Sequence, residues 1–252
     1  MRPGPVLAAV QAGDETGLKH ALTHGGTTEE VDGAGMGALA WAAYDGNTKL
    51  VRMLLEAGAD PSVVDAVGCT PLRMAVGATN VSPYVVFVLL SDPRVDVNSR
   101  EQTIVNRGGT PLHFAVHSVW RSSPAIVGLF LAEPRVDVNA VCARGRRPFD
   151  VAVDTGNAAV VRALLADPRV DVSCRADGRR RSALHEAASA GDADLVRVLL
   201  ADVRFTPDSV DAEGRTPLDL ARGAEAPFSR AAEEGRAAVV ALLEERMAAV
   251  RS

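Results

Sequence analysis

Cysteine is scarce in this 252-residue chain, lysine is nearly absent, and no long apolar run occurs. The three cysteines, Cys69, Cys142 and Cys174, are odd in number and share no Cys-x-x-Cys spacing, which excludes a disulfide framework and a thiolate zinc site. Reduced thiols fit the cytoplasm or the nucleus. Of the 27 basic residues only Lys19 and Lys49 are lysines, a bias of composition to which no function attaches. The longest apolar stretches, such as Ala125 to Ala132, fall far short of the roughly 18 to 20 residues that span a bilayer. Near the N-terminus, Val6 to Val10 is interrupted at Gln11, Gly13 and Asp14, too early for a signal-peptide core of roughly 7 to 15 residues.

Catalytic signatures are missing as well. The chain has no Gly-x-x-x-x-Gly-Lys phosphate loop and no Gly-x-Ser-x-Gly nucleophile elbow. His185-Glu186 is followed by Ala187, Ala188 and Ser189, so a zinc-protease helix is excluded. His113 and His117 lie four apart and share a helix face, but no third ligand accompanies them. These absences point away from an enzyme and lead us to expect no metal and no cofactor.

What is present is repetition. Gly37-Ala-Leu-Ala-Trp-Ala-Ala43, Thr70-Pro-Leu-Arg-Met-Ala75, Thr110-Pro-Leu-His-Phe-Ala115, Arg147-Pro-Phe-Asp-Val-Ala152, Ser182-Ala-Leu-His-Glu-Ala-Ala188 and Thr216-Pro-Leu-Asp-Leu-Ala221 vary one motif, at steps of 33, 40, 37, 35 and 34 residues. Thr caps a helix through its hydroxyl, and Pro at the first helical position gives up an N–H that would have no partner. Downstream of each motif, apolar residues at helical spacing, such as Leu50, Val51, Leu54 and Leu55, predict a second helix. One pair cannot bury that surface alone, so the pairs must stack. A second phrase, Asp92-Pro-Arg-Val-Asp-Val-Asn98, recurs at Glu133 to Asn139 and Asp167 to Ser173, with a degraded copy at Asp202 to Asp208. Its Pro stops the second helix, and its arginines, Arg94, Arg135, Arg169 and Arg204, sit beside carboxylates and are expected to be solvated loop decoration.

Thr-Pro-Leu-His-x-Ala at a period near 33 resembles the ankyrin-repeat family. The resemblance covers nearly the whole chain and implies an all-α repeat solenoid: stacked helix-turn-helix ankyrin repeats with short β-hairpin fingers, about seven units. The implied partition is a single domain over 1–252, with an N-terminal capping repeat at 4–30. Repeats follow at 31–64, 65–99, 100–140 with an enlarged finger, 141–174 and 175–209, and a C-terminal capping repeat with an insertion spans 210–252. The final helix is expected from Ala237 to about Val250. Arg73, Asp150 and Asp219 stand where the motif has His, which calls the polar network of those units into question.

The family implies a non-catalytic protein-protein interaction module, a scaffold, adaptor or inhibitor, whose contact residues lie on a concave face of finger tips and first-helix ends. Those helix ends are Tyr44 and Asp45, Gly77 and Ala78, His117 and Ser118, Asp154 and Thr155, and Ser189 and Ala190. Tyr44 is the best single anchor. Trp41 falls at an apolar helix position and is expected in the core, while Trp120, in an enlarged turn, is either a contact or a lid. Beneath a net charge of −5, two fingers are basic: Arg144, Arg146 and Arg147 give +3, and Arg175, Arg179, Arg180 and Arg181 less Asp177 give +3. An acidic segment of a partner protein fits such an edge. Nucleic acid does not, since the chain is acidic and no aromatics interleave with the arginines. The alternative reading is a substrate-recruiting adaptor of an enzyme complex such as a ubiquitin ligase, docking through Arg222 to Val250. The resemblance further implies hydroxylation of Asn98 and Asn139, each preceded by Asp-Val and eight residues after a Leu, by an oxygen-dependent dioxygenase. A monomer without membrane attachment completes the expectation.

Overall fold

The computed structural model describes residues 4–79, 81–100, 108–117, 123–174, 178–223 and 230–251, the side chains of 230–232, 250 and 251 excepted. It forms two compact units, residues 1–143 and 144–252. In the first lie α1 (Pro5–Gln11) with α2 (Glu15–Thr23), α3 (Ala38–Tyr44) with α4 (Thr48–Glu56), α5 (Pro71–Gly77) with α6 (Pro83–Ser91), and α7 (Pro111–His117) with α8 (Pro124–Ala132). In the second lie α9 (Pro148–Asp154) with α10 (Ala158–Leu165), α11 (Ala183–Ala190) with α12 (Ala193–Leu200), and α13 (Pro217–Gly223) with α14 (Arg230–Arg251). Each unit is thus an all-α repeat stack of the expected class, and the described residues contain a single isolated β-bridge, Val31 to Gly37, rather than a sheet.

The turn inside four pairs repeats one device. Gly13, Gly46, Gly156 and Gly191 adopt positive φ, a conformation that costs glycine little. The next residue, Asp14, Asn47, Asn157 or Asp192, then caps the second helix, accepting from the backbone N–H three positions on at 2.9 to 3.1 Å. First helices begin as the motif predicts: the Thr70 hydroxyl accepts from the Arg73 N–H, and Pro71 occupies the first turn. The apolar faces then close on each other, burying Leu7, Leu18, Leu50, Leu54, Leu72, Leu89, Leu112 and Phe130 in one unit and Phe149, Leu164, Leu184 and Leu195 in the other. Each such side chain contributes about 1.5 to 3 kcal/mol.

Two expectations are corrected here. Three of the four recurrent arginines, Arg94, Arg135 and Arg204, are not solvated decoration. Arg94 donates to the carbonyl of Leu55 at 3.1 Å, in the last turn of the preceding second helix, and to that of Ala59 at 3.3 Å, just beyond it. Arg135 reaches Leu90 and Val95 in the same way, and Arg204 reaches Leu165 at 2.8 Å and Val170 at 3.2 Å. A cation at a helix C-terminus satisfies orphan carbonyls and opposes the helix dipole, so these residues staple consecutive pairs. The carboxylates beside all four, Asp92, Glu133, Asp167 and Asp202, are held below the ordinary value chiefly by the guanidinium hydrogen bond.

The last helix also starts earlier than expected, at Arg230 rather than Ala237. Ala231, Ala232, Glu233 and Glu234 are good helix formers. Gly235 sits within the helix because a β-carbon there would lie 2.8 Å from the Gly191 carbonyl oxygen. The helix packs on α12 and α13, the place of a second helix in the preceding pairs.

Candidate protein-binding surface

In the first unit, α3 carries Tyr44 and Asp45 out to solvent at its C-terminal end. Trp41 is half-buried rather than in the core, because its indole N–H donates to Asp32 Oδ2 at 2.9 Å and keeps the ring beside the first finger. Tyr44 meets that ring edge-on, with centroids 6.5 Å apart. On α5, Ala78 is fully buried and offers no contact. A β-carbon at Gly77 would collide with an Arg73 guanidinium nitrogen, so the glycine seats that side chain, which lies over the Phe114 ring at 3.2 Å. Arg73 therefore replaces the motif histidine with a stack between neighbouring first helices. His117 ends α7 half-exposed, whereas Ser118 and Trp120 lie outside the described residues.

The other departures from the motif keep its network. Where Thr110 N–H donates to His113 Nδ1 at 3.1 Å, Arg147 N–H donates to Asp150 at 2.9 Å and Thr216 N–H to Asp219 at 2.9 Å. A carboxylate oxygen serves as the acceptor as well as an imidazole nitrogen does. His185 accepts from Ser182 N–H at Nδ1, which places the proton on Nε2 for donation to the Arg215 carbonyl at 3.0 Å. Burial, outweighing that bond, lowers its pKa and favours this neutral form.

The basic fingers of the second unit divide in two. Arg147, counted as part of the charged edge, is buried: its guanidinium holds both Asp150 oxygens at 3.0 Å, Asp171 at 2.6 Å, and the Ser173 hydroxyl and carbonyl. Arg181 turns toward buried Asp211, 3.6 Å away. Burial alone would raise Asp211, but the Arg215 backbone N–H and guanidinium outweigh it and hold the carboxyl at about 2. These two arginines are structural because each follows the finger directly into a first helix. Arg144, Arg179 and Arg180 remain exposed. Half-buried Arg146 pairs with exposed Asp154, so the structure brings two of the expected contact residues together. Arg180 holds a left-handed φ of 52°, the only non-glycine to do so among the described residues. Arg175 and Asp177 lie outside the described residues.

Asn98 and Asn139 are half-buried at the finger bases. The Asn98 amide donates to the Arg135 carbonyl at 2.8 Å and accepts from Asp137 N–H at 2.9 Å, tying one finger to the next. Four valines on the first two fingers, Val31, Val63, Val64 and Val67, are exposed. The repeat pattern gave no reason to select them, since finger residues carry no periodicity. Among the described residues no group of three or more His, Cys, Asp or Glu is placed to hold a metal, and no helix is long and apolar enough to cross a membrane.

Comparison with known proteins agrees with this architecture. The family described as "Ankyrin repeats (3 copies)" matches residues 6–101, and "Ankyrin repeat" matches residues 179–211. The crystal structure of the ankyrin repeat domain of Bcl-3, described as a unique member of the IkappaB protein family, superposes with a TM-score of 0.73. It covers 96% of this chain and 98% of that one at 23% identity.

Proposed function

This chain belongs to the ankyrin-repeat family, and on that premise we propose that it is a non-catalytic interaction module binding a protein partner along its fingers and first-helix ends. The observation that carries the reading is the division of the arginines. Arg147 and Arg181 are consumed within the stack, while Arg144, Arg179 and Arg180 stand exposed on the fingers beside the Arg146–Asp154 pair. Arg144 and Arg180 have no polar partner among the described residues. Exposed guanidinium groups suit bidentate contact with carboxylates, which supports an acidic segment as the partner chemistry.

The packing of α14 on α12 and α13 supports a capping role for the C-terminal segment over a docking role in a ubiquitin-ligase adaptor. The protein acts as a monomer in the cytoplasm or nucleus, without nucleic acid. Asn98 and Asn139 are substrates for a hydroxylase on this reading, checked by one added oxygen on either residue in the native protein.

The test is fluorescence anisotropy of a dye-labelled decapeptide of alternating Glu and Ser. Reversing Arg144, Arg146, Arg179 and Arg180 to Glu is expected to weaken binding at least about tenfold, and added salt to weaken it for the wild type. Equal binding by both proteins would sink the assignment of this face.

A further inference from the structure

The first two fingers differ in chemistry from those of the second unit. Val31 is 50% exposed, Val63 38%, Val64 48% and Val67 61%. A single exposed valine is ordinary, but four on two adjoining fingers concentrate apolar surface of the kind that marks an interaction site. The two fingers are joined: Ala66 N–H donates to the Ala34 carbonyl at 3.1 Å. Gly35 permits this approach, for its φ is +76° and a β-carbon there would stand 3.2 Å from the Ala66 nitrogen. Val31 and Val63 line one shallow depression of about 20 Å³ together with Thr28, Glu29 and Asp60.

The charge around this patch is predominantly negative. Residues 27–69 hold seven acids (Glu29, Glu30, Asp32, Asp45, Glu56, Asp60, Asp65) and two bases (Lys49, Arg52), a net of −5, equal to that of the entire chain. Both bases are on α4, not on a finger. Some of the acids are committed: Glu30 accepts from Leu7 N–H, Asp32 from Trp41, and Asp60 from Ser62 with Arg94 nearby. Glu29 and Asp45 are exposed and have no polar partner among the described residues. Asp45 lies one turn beyond Trp41 on α3 and so shares the helix face that meets the first finger. Partial burial holds its carboxyl above the ordinary value, a cost that an arriving cation relieves.

We infer that the first two fingers and the end of α3 form a second docking surface, for a partner segment that carries lysine or arginine beside aliphatic side chains. The inference rests on the interaction-module reading and deepens it. Aliphatic groups cover Val31, Val63 and Val67 while the cations meet Glu29 and Asp45. The same chain then discriminates between partners by charge: cationic-aliphatic at the N-terminal fingers, acidic at the arginine fingers.

The experiment uses the full chain and three dye-labelled decapeptides, alternating Lys-Val, Lys-Ser and Glu-Ser, followed by fluorescence anisotropy. Lys-Val is expected to bind the wild type at least about tenfold more tightly than Lys-Ser, since only it supplies apolar contact. Val63→Ser with Val67→Ser, and separately Glu29→Gln with Asp45→Asn, are each expected to weaken Lys-Val about tenfold. Arg179→Glu with Arg180→Glu leaves Lys-Val binding unchanged. All the substituted side chains are exposed, and thermal melts confirm the fold of each variant. No binding of Lys-Val, equal binding of Lys-Ser, or indifference to both N-terminal variants overturns the inference. If Glu-Ser still binds through Arg179 and Arg180 in that case, the module reading stands without it. Failure of both peptides removes both.

Discussion

Replacing Arg147 with Met tests whether a finger arginine is a structural hub or a surface charge. Its side chain is only 10% exposed, and it makes five guanidinium contacts to Asp150, Asp171 and Ser173. Met keeps the apolar stem and removes the charge that faces Asp150, whose side chain is 6% exposed and which keeps the backbone N–H of residue 147. Breaking a buried pair from one side costs about 3 to 5 kcal/mol. The surviving N–H bond, together with the half-exposed Asp171, places the expectation at about 3 kcal/mol. With a urea slope of about 2 kcal/mol per molar, the far-ultraviolet unfolding midpoint falls by about 1.5 M. Arg144→Met, on an exposed side chain, is expected to change stability by less than about 0.5 kcal/mol. A double variant, Arg147→Thr with Asp150→His, rebuilds the Thr110–His113 arrangement and recovers most of the loss. If Arg147→Met costs no more than Arg144→Met, the hub assignment is wrong.

Other expectations follow from the same physics. Arg204→Ala removes the bonds to the Leu165 and Val170 carbonyls and lowers stability by about 1 to 2 kcal/mol, measured by urea melts; no change would return the residue to loop decoration. Gly235→Ala is destabilising by about 1 to 3 kcal/mol despite its helical position, because the new methyl meets backbone at 2.8 Å. Gly128→Ala, in α8 with open space above it, stabilises by about 0.5 to 1 kcal/mol. The opposite signs are read in one thermal series. His185, whose pKa is lowered by burial, binds its proton more readily in the unfolded chain, so stability is full above about pH 6.5 and declines below it. Asp211, held at about 2, adds a second decline as pH falls from about 4 toward 2. His185→Gln should flatten the first decline and leave the second, which pH-dependent melts will show.

Much of the architecture was legible before any coordinates. Thr-Pro-Leu motifs and apolar periodicity are local signals, and a helix that begins at Thr70 or Thr216 does so through atoms within three residues. The same holds for the Gly-Asx turns, whose positive φ and cap lie on adjacent residues. The arginines were misread because their partners are distant in sequence. Arg94 and Leu55 are 39 residues apart and Arg147 and Ser173 are 26 apart, so the bonds that commit these arginines are not written in the residues beside them. Tyr44, Asp45 and the arginine fingers could be picked as candidates from the sequence, whereas the exposed valines of the first two fingers could not.

The sequence by itself therefore determined the repeat, its helices and its family, because capping, turn chemistry and helical period are encoded within one unit. Only the tertiary structure decided which charges are spent inside the stack and which valines stay outside it. Those assignments depend on the contact between one repeat and the next, where a carbonyl or carboxylate 24 to 45 residues away reaches a guanidinium.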